Sequence, residues 1–191
     1  MNRSEVIFGS GGNGGILTQN EIICIDITDD DDAENKHGLF HYLGTNFGTN
    51  SAYTNPFVLG FVDLFCGGIG TRSHTIENIL NNNGSSDCEC YFVSGKYDIW
   101  FAIDLKFCRI QLTHYTLRHI DFDSNYIRNW VLEAKNVSDT QWTVVSEHCN
   151  DESLCQPKGI GVFEIENEKE TSQFYQFWRV RMIVQFGFET K

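Results

Sequence analysis

The stretch Trp100-Phe101-Ala102-Ile103-Asp104-Leu105-Lys106 decides how the chain reads. Phe101, Ile103 and Leu105 fall on one side of an extended backbone and Ala102 and Asp104 on the other, the two-residue period of a half-buried β-strand. A helix would scatter the same apolar residues around its axis. Working outward, residues 109–119 predict a second strand, in which Ile110, Leu112, His114, Thr116 and Arg118 alternate against Gln111, Thr113, Tyr115, Leu117 and His119. Residues 129–134 and 141–146 follow as strands anchored by Trp130 and Trp142. Residues 161–165 and 177–186 complete the set, the last with Trp178, Val180, Met182, Val184 and Phe186 on one side. Short apolar segments parted by polar turns are the pattern of an antiparallel β-sandwich. No segment carries an amphipathic helix longer than about three turns.

Composition agrees with one such core. The 191 residues are 41% hydrophobic and 14% aromatic, with 15 Phe and 4 Trp, enough to fill one sandwich with an extension. Fourteen Lys and Arg against 26 Asp and Glu give a formal charge of -12, which repels phosphate backbones and anionic lipid, so nucleic acid is not expected as a partner. No apolar run reaches the roughly 18 residues that would predict a membrane span. The opening Met1-Asn2-Arg3-Ser4-Glu5 runs after Val6-Ile7-Phe8 into glycines without the apolar stretch of a secretory leader, and a cytoplasmic, intracellular location is expected. The cysteines Cys24, Cys66, Cys88, Cys90, Cys108, Cys149 and Cys155 are odd in number and hold no CxxC pair, which reads as reduced thiols. Glycosylation sequons at Asn2, Asn83 and Asn136 are no more than an Asn-rich chain supplies by chance.

Residues 1–36 read as a Gly-rich, then acidic N-terminal arm, with residues 21–28 β-branched like a strand or docking segment, and residues 37–191 as the sandwich domain. Between Lys36 and Pro56 a mixture of Gly, Asn and aromatic residues predicts an ordered loop with a short helix or turn.

Several of these segments together carry a resemblance. Ile99-Trp-Phe-Ala-Ile-Asp-Leu105, Thr113-His-Tyr-Thr-Leu-Arg-His119, Arg128-Asn-Trp-Val-Leu-Glu133, Gln141-Trp-Thr-Val-Val145, His148-Cys-Asn-Asp151 and Phe177-Trp-Arg-Val-Arg181 resemble, in order and spacing, the discoidin-like domain of coagulation factor V/VIII C type. The likeness is strongest to its intracellular branch, found in BTB proteins and HECT-type ubiquitin ligases. That branch's opening segment is matched by the run from Gly38 to Asn50 and by Asn55-Pro56, so the resemblance spans residues 37–187. Two positions depart from it: Gln176 stands where the branch carries an Arg, and Lys135-Asn-Val-Ser-Asp-Thr140 replaces a Ser-Asn-Asp-Gly turn. The resemblance implies an eight-stranded, galactose-binding-like jelly roll with binding loops gathered at one end.

Each motif that suggests chemistry has a plainer reading. Gly9-Ser-Gly-Gly-Asn-Gly14 fits GxGxxG, but a dinucleotide site needs a parallel βαβ unit to put the phosphate on a helix N-terminus, and β text follows instead. Asp29 to Asp32 with Glu34 lack the alternate spacing and glycine turn of a calcium loop. Cys88 with Cys90, and His148 with Cys149, lack the two-plus-two zinc spacing. No GxSxG elbow marks a nucleophile. The reading therefore calls for no enzyme, no cofactor and no metal.

His114, Arg118 and His119 cluster on one strand, and Arg118 is expected to pair with Asp104, since an unpaired buried guanidinium is costly. Trp100, Trp130, Trp142 and Trp178, with Asp104, Arg118 and Arg179, are read as the structural core. Phe40, Tyr42, Asn46, Phe47 and Asn50 are the candidate binding residues, because loop aromatics supply anchors. The leading expectation is an intracellular protein-interaction module, an adaptor or structural subunit of a larger assembly with a ubiquitin-ligase connection. A carbohydrate-binding module is the alternative, with Tyr42 and Phe47 stacking on a sugar and Asn46 and Asn50 hydrogen-bonding to it.

Overall fold

The computed structural model describes residues 3–8, 22–26, 38–67, 69–71, 76–81, 90–92, 99–118, 127–156, 159–165 and 173–183. The Gly9 to Gly14 run, Asp29 to Asp32 with Glu34, Asn2, Asn83, Cys88, His119 and the closing strand beyond Ile183 lie outside the described residues, as do the side chains of Arg118 and Cys90.

The chain folds as antiparallel β-structure. In order it forms β1 (Arg3–Phe8), β2 (Ile22–Asp26), a short helix α1 (Leu39–Gly44), β3 (Asp63–Gly67), β4 (Ile69–Thr71), a 3-10 turn at Ile76–Leu80, β5 (Cys90–Phe92) and β6 (Trp100–Asp104). Then follow β7 (Cys108–Gln111), β8 (His114–Arg118), β9 (Trp130–Lys135), β10 (Thr143–His148), β11 (Ile160–Glu164) and β12 (Phe177–Met182). The main sheet runs β10-β9-β12-β6-β3, so the last strand sits in the middle between strands far from it in sequence. Smaller sheets join β2-β1-β7, β11-β8 and β4-β5.

β-Branched and aromatic side chains fill the strands because they pack well on a pleated, half-buried surface. One face of the main sheet gives the core Trp130, Leu132 and Ala134 from β9, Trp178 and Val180 from β12 and Leu64 from β3. Cys108 and Ile110 of β7, Phe163 of β11 and Tyr175 close over them. Ile110 and Tyr175 exchange backbone hydrogen bonds at 2.9 Å in each direction, which ties β7 to the segment entering β12. β1 lies antiparallel on β7, Phe8 opposite Cys108, and β2 lies outside β1.

One strand expectation is corrected. Residues 109–119 divide into β7 and β8, and the break moves Tyr115 and Leu117 onto the core while Thr116 faces out. At the break the Thr113 carbonyl accepts the Ile165 N–H at 2.8 Å, so two residues leave the ladder and the alternation changes phase. His114, placed with Ile110 by simple alternation, belongs instead with the outward residues of β8 and hydrogen-bonds Thr113 at 3.1 Å.

Candidate recognition surfaces

Register defines two ends. Asp63, Asp104, Phe177 and Lys135 form one rung of the main sheet, so residues 45–62, 105–107, 136–142 and 173–176 gather at that end. The candidate binding residues belong to this loop end. α1 stops where the Thr45 hydroxyl donates back to the His41 carbonyl at 2.9 Å. Asn46, Phe47 and Gly48 then follow with φ of 50°, 60° and 74°, three successive left-handed residues. For a ring-bearing residue such a conformation costs on the order of 1–3 kcal/mol and needs surrounding support. The support is visible: Phe47 packs on Tyr42 and, at 5.0 Å between ring centroids, on Phe61, while the Asn50 N–H reaches the Thr45 carbonyl at 2.8 Å.

Phe40, Tyr42 and Phe47 are thus half-buried and packed against the core. Asn46 is exposed, but its side chain donates to Thr49 at 3.1 Å, and Asn50 is exposed. Gly44 admits no side chain, since a Cβ there would stand 2.8 Å from the Thr54 carbonyl oxygen and closer still to the Tyr53 ring. Beside this loop the Asp104 carboxylate accepts the Gln176 side-chain amide and the Lys106 backbone N–H, each at 2.8 Å. Gln176, one of the two departures noted in the sequence, is therefore a side-chain partner of Asp104.

At the opposite end His148 joins three elements. Its ring stacks on Trp130 at 4.2 Å with planes 8° apart, and meets Phe163 edge-on at 4.8 Å. Nδ1 lies 2.7 Å from Asp151 Oδ2, while Nε2 lies 2.8 Å from the Tyr115 hydroxyl and 3.1 Å from Ser146 Oγ. Trp130 donates its indole N–H to the Tyr115 oxygen at 3.0 Å, so the Tyr115 hydroxyl bridges the indole and the His148 Nε2. Ser146, His148 and Asp151 have the order of a hydrolase triad, but Tyr115 occupies the basic nitrogen more closely than Ser146 does. Both ring nitrogens are engaged, which leaves none to ligate a metal. Burial pushes the Asp151 carboxyl up, but hydrogen bonds from the Ser153 hydroxyl and amide and from His148 outweigh it and hold Asp151 below the ordinary carboxylate value. Burial also raises the Tyr115 hydroxyl.

The outward face of the main sheet carries a second constellation. The four tryptophans, expected as one core set, divide: Trp130 and Trp178 are interior, whereas Trp100 and Trp142 are half-buried on the outer face with Arg179. The Arg179 guanidinium lies 4.3 Å from the Trp142 ring centre and 5.7 Å from that of Trp100. Lys135 Nζ stands 5.0 Å from Trp142 and 5.5 Å from Phe177. Beneath them Glu133, only 4% exposed, receives Arg179 at 2.7 Å and Arg181 at 3.0 Å. Sequence reading missed this cluster, although Arg179 and Arg181, two apart on a strand, must share a face. Trp100 leans over Gly67, where a Cβ would stand 2.5 Å from the indole nitrogen.

No family model matches the chain. It is 32% identical over 148 residues to the E3 ubiquitin-protein ligase Ufd4 of Drosophila melanogaster, which uses 76% of this chain and 5% of that protein. With the E3 ubiquitin-protein ligase hecd-1 of Caenorhabditis elegans it shares 27% identity over 146 residues, again 76% of this chain and 5% of the relative. The chain thus spans about 5% of the length of the curated relatives it matches. Among solved structures, chitosan-binding module 1 of a Paenibacillus chitosanase/glucanase aligns with a TM-score of 0.42 and 14% identity over 66% of this chain and 86% of that one. Allantoicase from Saccharomyces cerevisiae aligns at 0.45 and 11% over 95% of this chain and 63% of that one. The chain is antiparallel β-structure whose sequence is similar to one short segment of E3 ubiquitin-protein ligases.

Proposed function

We propose that this chain is a non-enzymatic, intracellular protein-interaction module that serves a ubiquitin-ligase system as an adaptor or substrate-recognising part. The observation that carries the reading is the 32% identity to a ubiquitin ligase, sustained over 76% of the chain. Two features of the site support it. The loop aromatics offered for sugar stacking pack against the core, which leaves them only half exposed for a pyranose face. The Ser146-His148-Asp151 series is closed by Tyr115 and works as a bracket, with the Asp151 N–H bonded to the Arg128 carbonyl at 2.9 Å.

Affinity purification of the full chain from native cells, followed by mass spectrometry, tests the proposal. Stoichiometric recovery of ubiquitin-ligase components that survives moderate salt is the expected result. If the chain emerges alone, and a glycan array shows saturable, stereospecific binding, the carbohydrate reading replaces this one.

A further inference from the structure

We infer that the edge of β7 beneath β1 is a strand-addition site for an extended partner segment with apolar residues at alternate positions, and that the antiparallel pair β1-β2 is its built-in competitor. The inference deepens the protein-interaction reading and rests on it. β1 lies on β7 with Glu5 opposite Gln111, Val6 opposite Ile110, Ile7 opposite Arg109 and Phe8 opposite Cys108. Ile110 directs both its N–H and its carbonyl to Tyr175, so by the alternation of an antiparallel ladder Arg109 and Gln111 turn theirs toward β1. Glu5 and Ile7 answer them, while Val6 turns its own backbone groups toward Ile23 of β2. The β1-β2 pair is thus held to the sheet through the backbone of two of its residues, and among the described strands it pairs with nothing but β7.

The two sides of β7 differ in how firmly they are fixed. Toward Tyr175 the pairing belongs to the core, since Cys108, Ile110 and Tyr175 are all buried in it. Toward β1 the ladder ends at Phe8, and the sequence that follows, with Gly9, Gly11, Gly12, Gly14 and Gly15, disfavours a longer strand. β7 therefore keeps its place when β1 lifts away, and the edge it then shows carries the donors and acceptors of Arg109 and Gln111. Such an edge selects first for extended backbone and then, at alternate positions, for side chains. β1 is the template of what fits: Val6 and Phe8 hold the register positions opposite Ile110 and Cys108. Residues 27–38 tether the β1-β2 pair to α1, which returns it to the edge at an effective concentration of order millimolar. A partner segment binds by outcompeting it, so the pair sets the threshold for recognition.

The test uses the full chain and a fluorescent peptide of residues 3–8, the segment this edge already holds. Ile7→Pro removes the N–H that faces Arg109 and spares the hydrogen bonds between β1 and β2, so it frees the edge. Anisotropy titration is expected to give saturable binding to the Ile7→Pro chain, at least tenfold tighter than to the wild type. N-methylation of the peptide at Ile7 should weaken binding at least tenfold and at Val6 less than twofold, and Val6→Ser with Phe8→Ser in the peptide at least threefold. In the wild type, hydrogen exchange followed by NMR should release the Arg109 and Gln111 amides at least tenfold faster than the Ile110 amide, a readout that needs no variant to fold. No peptide binding to a folded Ile7→Pro chain, equal effects of the two methylations, or equal protection of the three amides overturns the inference. So does a wild-type dimer in light scattering that Ile7→Pro abolishes, since the occupant is then a second copy. Native-cell capture of ligase components should rise at least twofold with Ile7→Pro, and unchanged capture would reject this edge and leave the proposed function standing. Peptide binding as expected, with no ligase component captured by either chain, would do the reverse.

Discussion

At the scale of single residues, His148 shows how one ring fixes a whole end of the sandwich: it stacks on β9, hydrogen-bonds Tyr115 of β8 and holds the 149–156 segment through Asp151. Asp151 ties this bracket to pH. Its carboxyl sits below the usual value in the folded chain, so its stabilisation is complete above the unfolded value and is lost as pH falls through the folded one. Urea midpoints measured between about pH 5 and pH 2 should fall with acidification, and Asp151→Asn should flatten that acid limb. Cys108 gives a second test. Burial, with a smaller push from Asp104, lifts its thiol to about 12, whereas Cys66 and Cys149 are exposed. Iodoacetamide at pH 8, with sites mapped by mass spectrometry, should modify Cys66 and Cys149 and spare Cys108 until denaturant is added. Residue types alone predicted reduced thiols. Cys108, between two apolar strand segments, reads from sequence as a packed thiol, and it is buried at the start of β7.

Among the elements, β6 and β12 were legible because their alternation is strict: Trp178 and Val180 face inward as read, and Ala102 and Asp104 lie on the face away from Phe101 and Ile103. The strand through residues 109–119 was not, because a period of two continues unchanged across a break that only a distant carbonyl partner, Thr113 to Ile165, creates. The loop of residues 38–50 was read as ordered with a short helix, and α1 is there. The direction of its aromatics was not legible, since Phe47 turns toward Phe61 through a left-handed backbone that no propensity favours. The outer face has a sharper test. Glu133 is a buried carboxylate whose charge is matched by Arg179 and Arg181. Glu133→Ala leaves two guanidiniums competing for water and should cost roughly 3 kcal/mol in denaturant unfolding. Leu132, its neighbour on the inner face, tests packing instead, and Leu132→Ala should cost about 2–5 kcal/mol.

For the whole molecule, the central position of β12 means that the main sheet closes only when a strand near residue 180 slots between strands near residues 100 and 130. Such long-range pairing is slow to form. That timing bears on Asn136, whose side chain donates to the Phe174 carbonyl at 3.1 Å and accepts the Gln176 N–H at 3.2 Å. The same asparagine begins Asn136-Val137-Ser138, a sugar-acceptor sequence. Routed through an oxidising, glycosylating compartment, the nascent chain would expose Asn136 before β12 arrives, and a glycan there would leave no room for the bracket. Secretion from a eukaryotic host should therefore yield an Asn136-glycosylated, protease-sensitive fraction, and Ser138→Ala should restore the compact form on a native gel. The hydrogen bonds of Asn136 to the segment entering β12 thus make the yield of compact fold dependent on the compartment of synthesis.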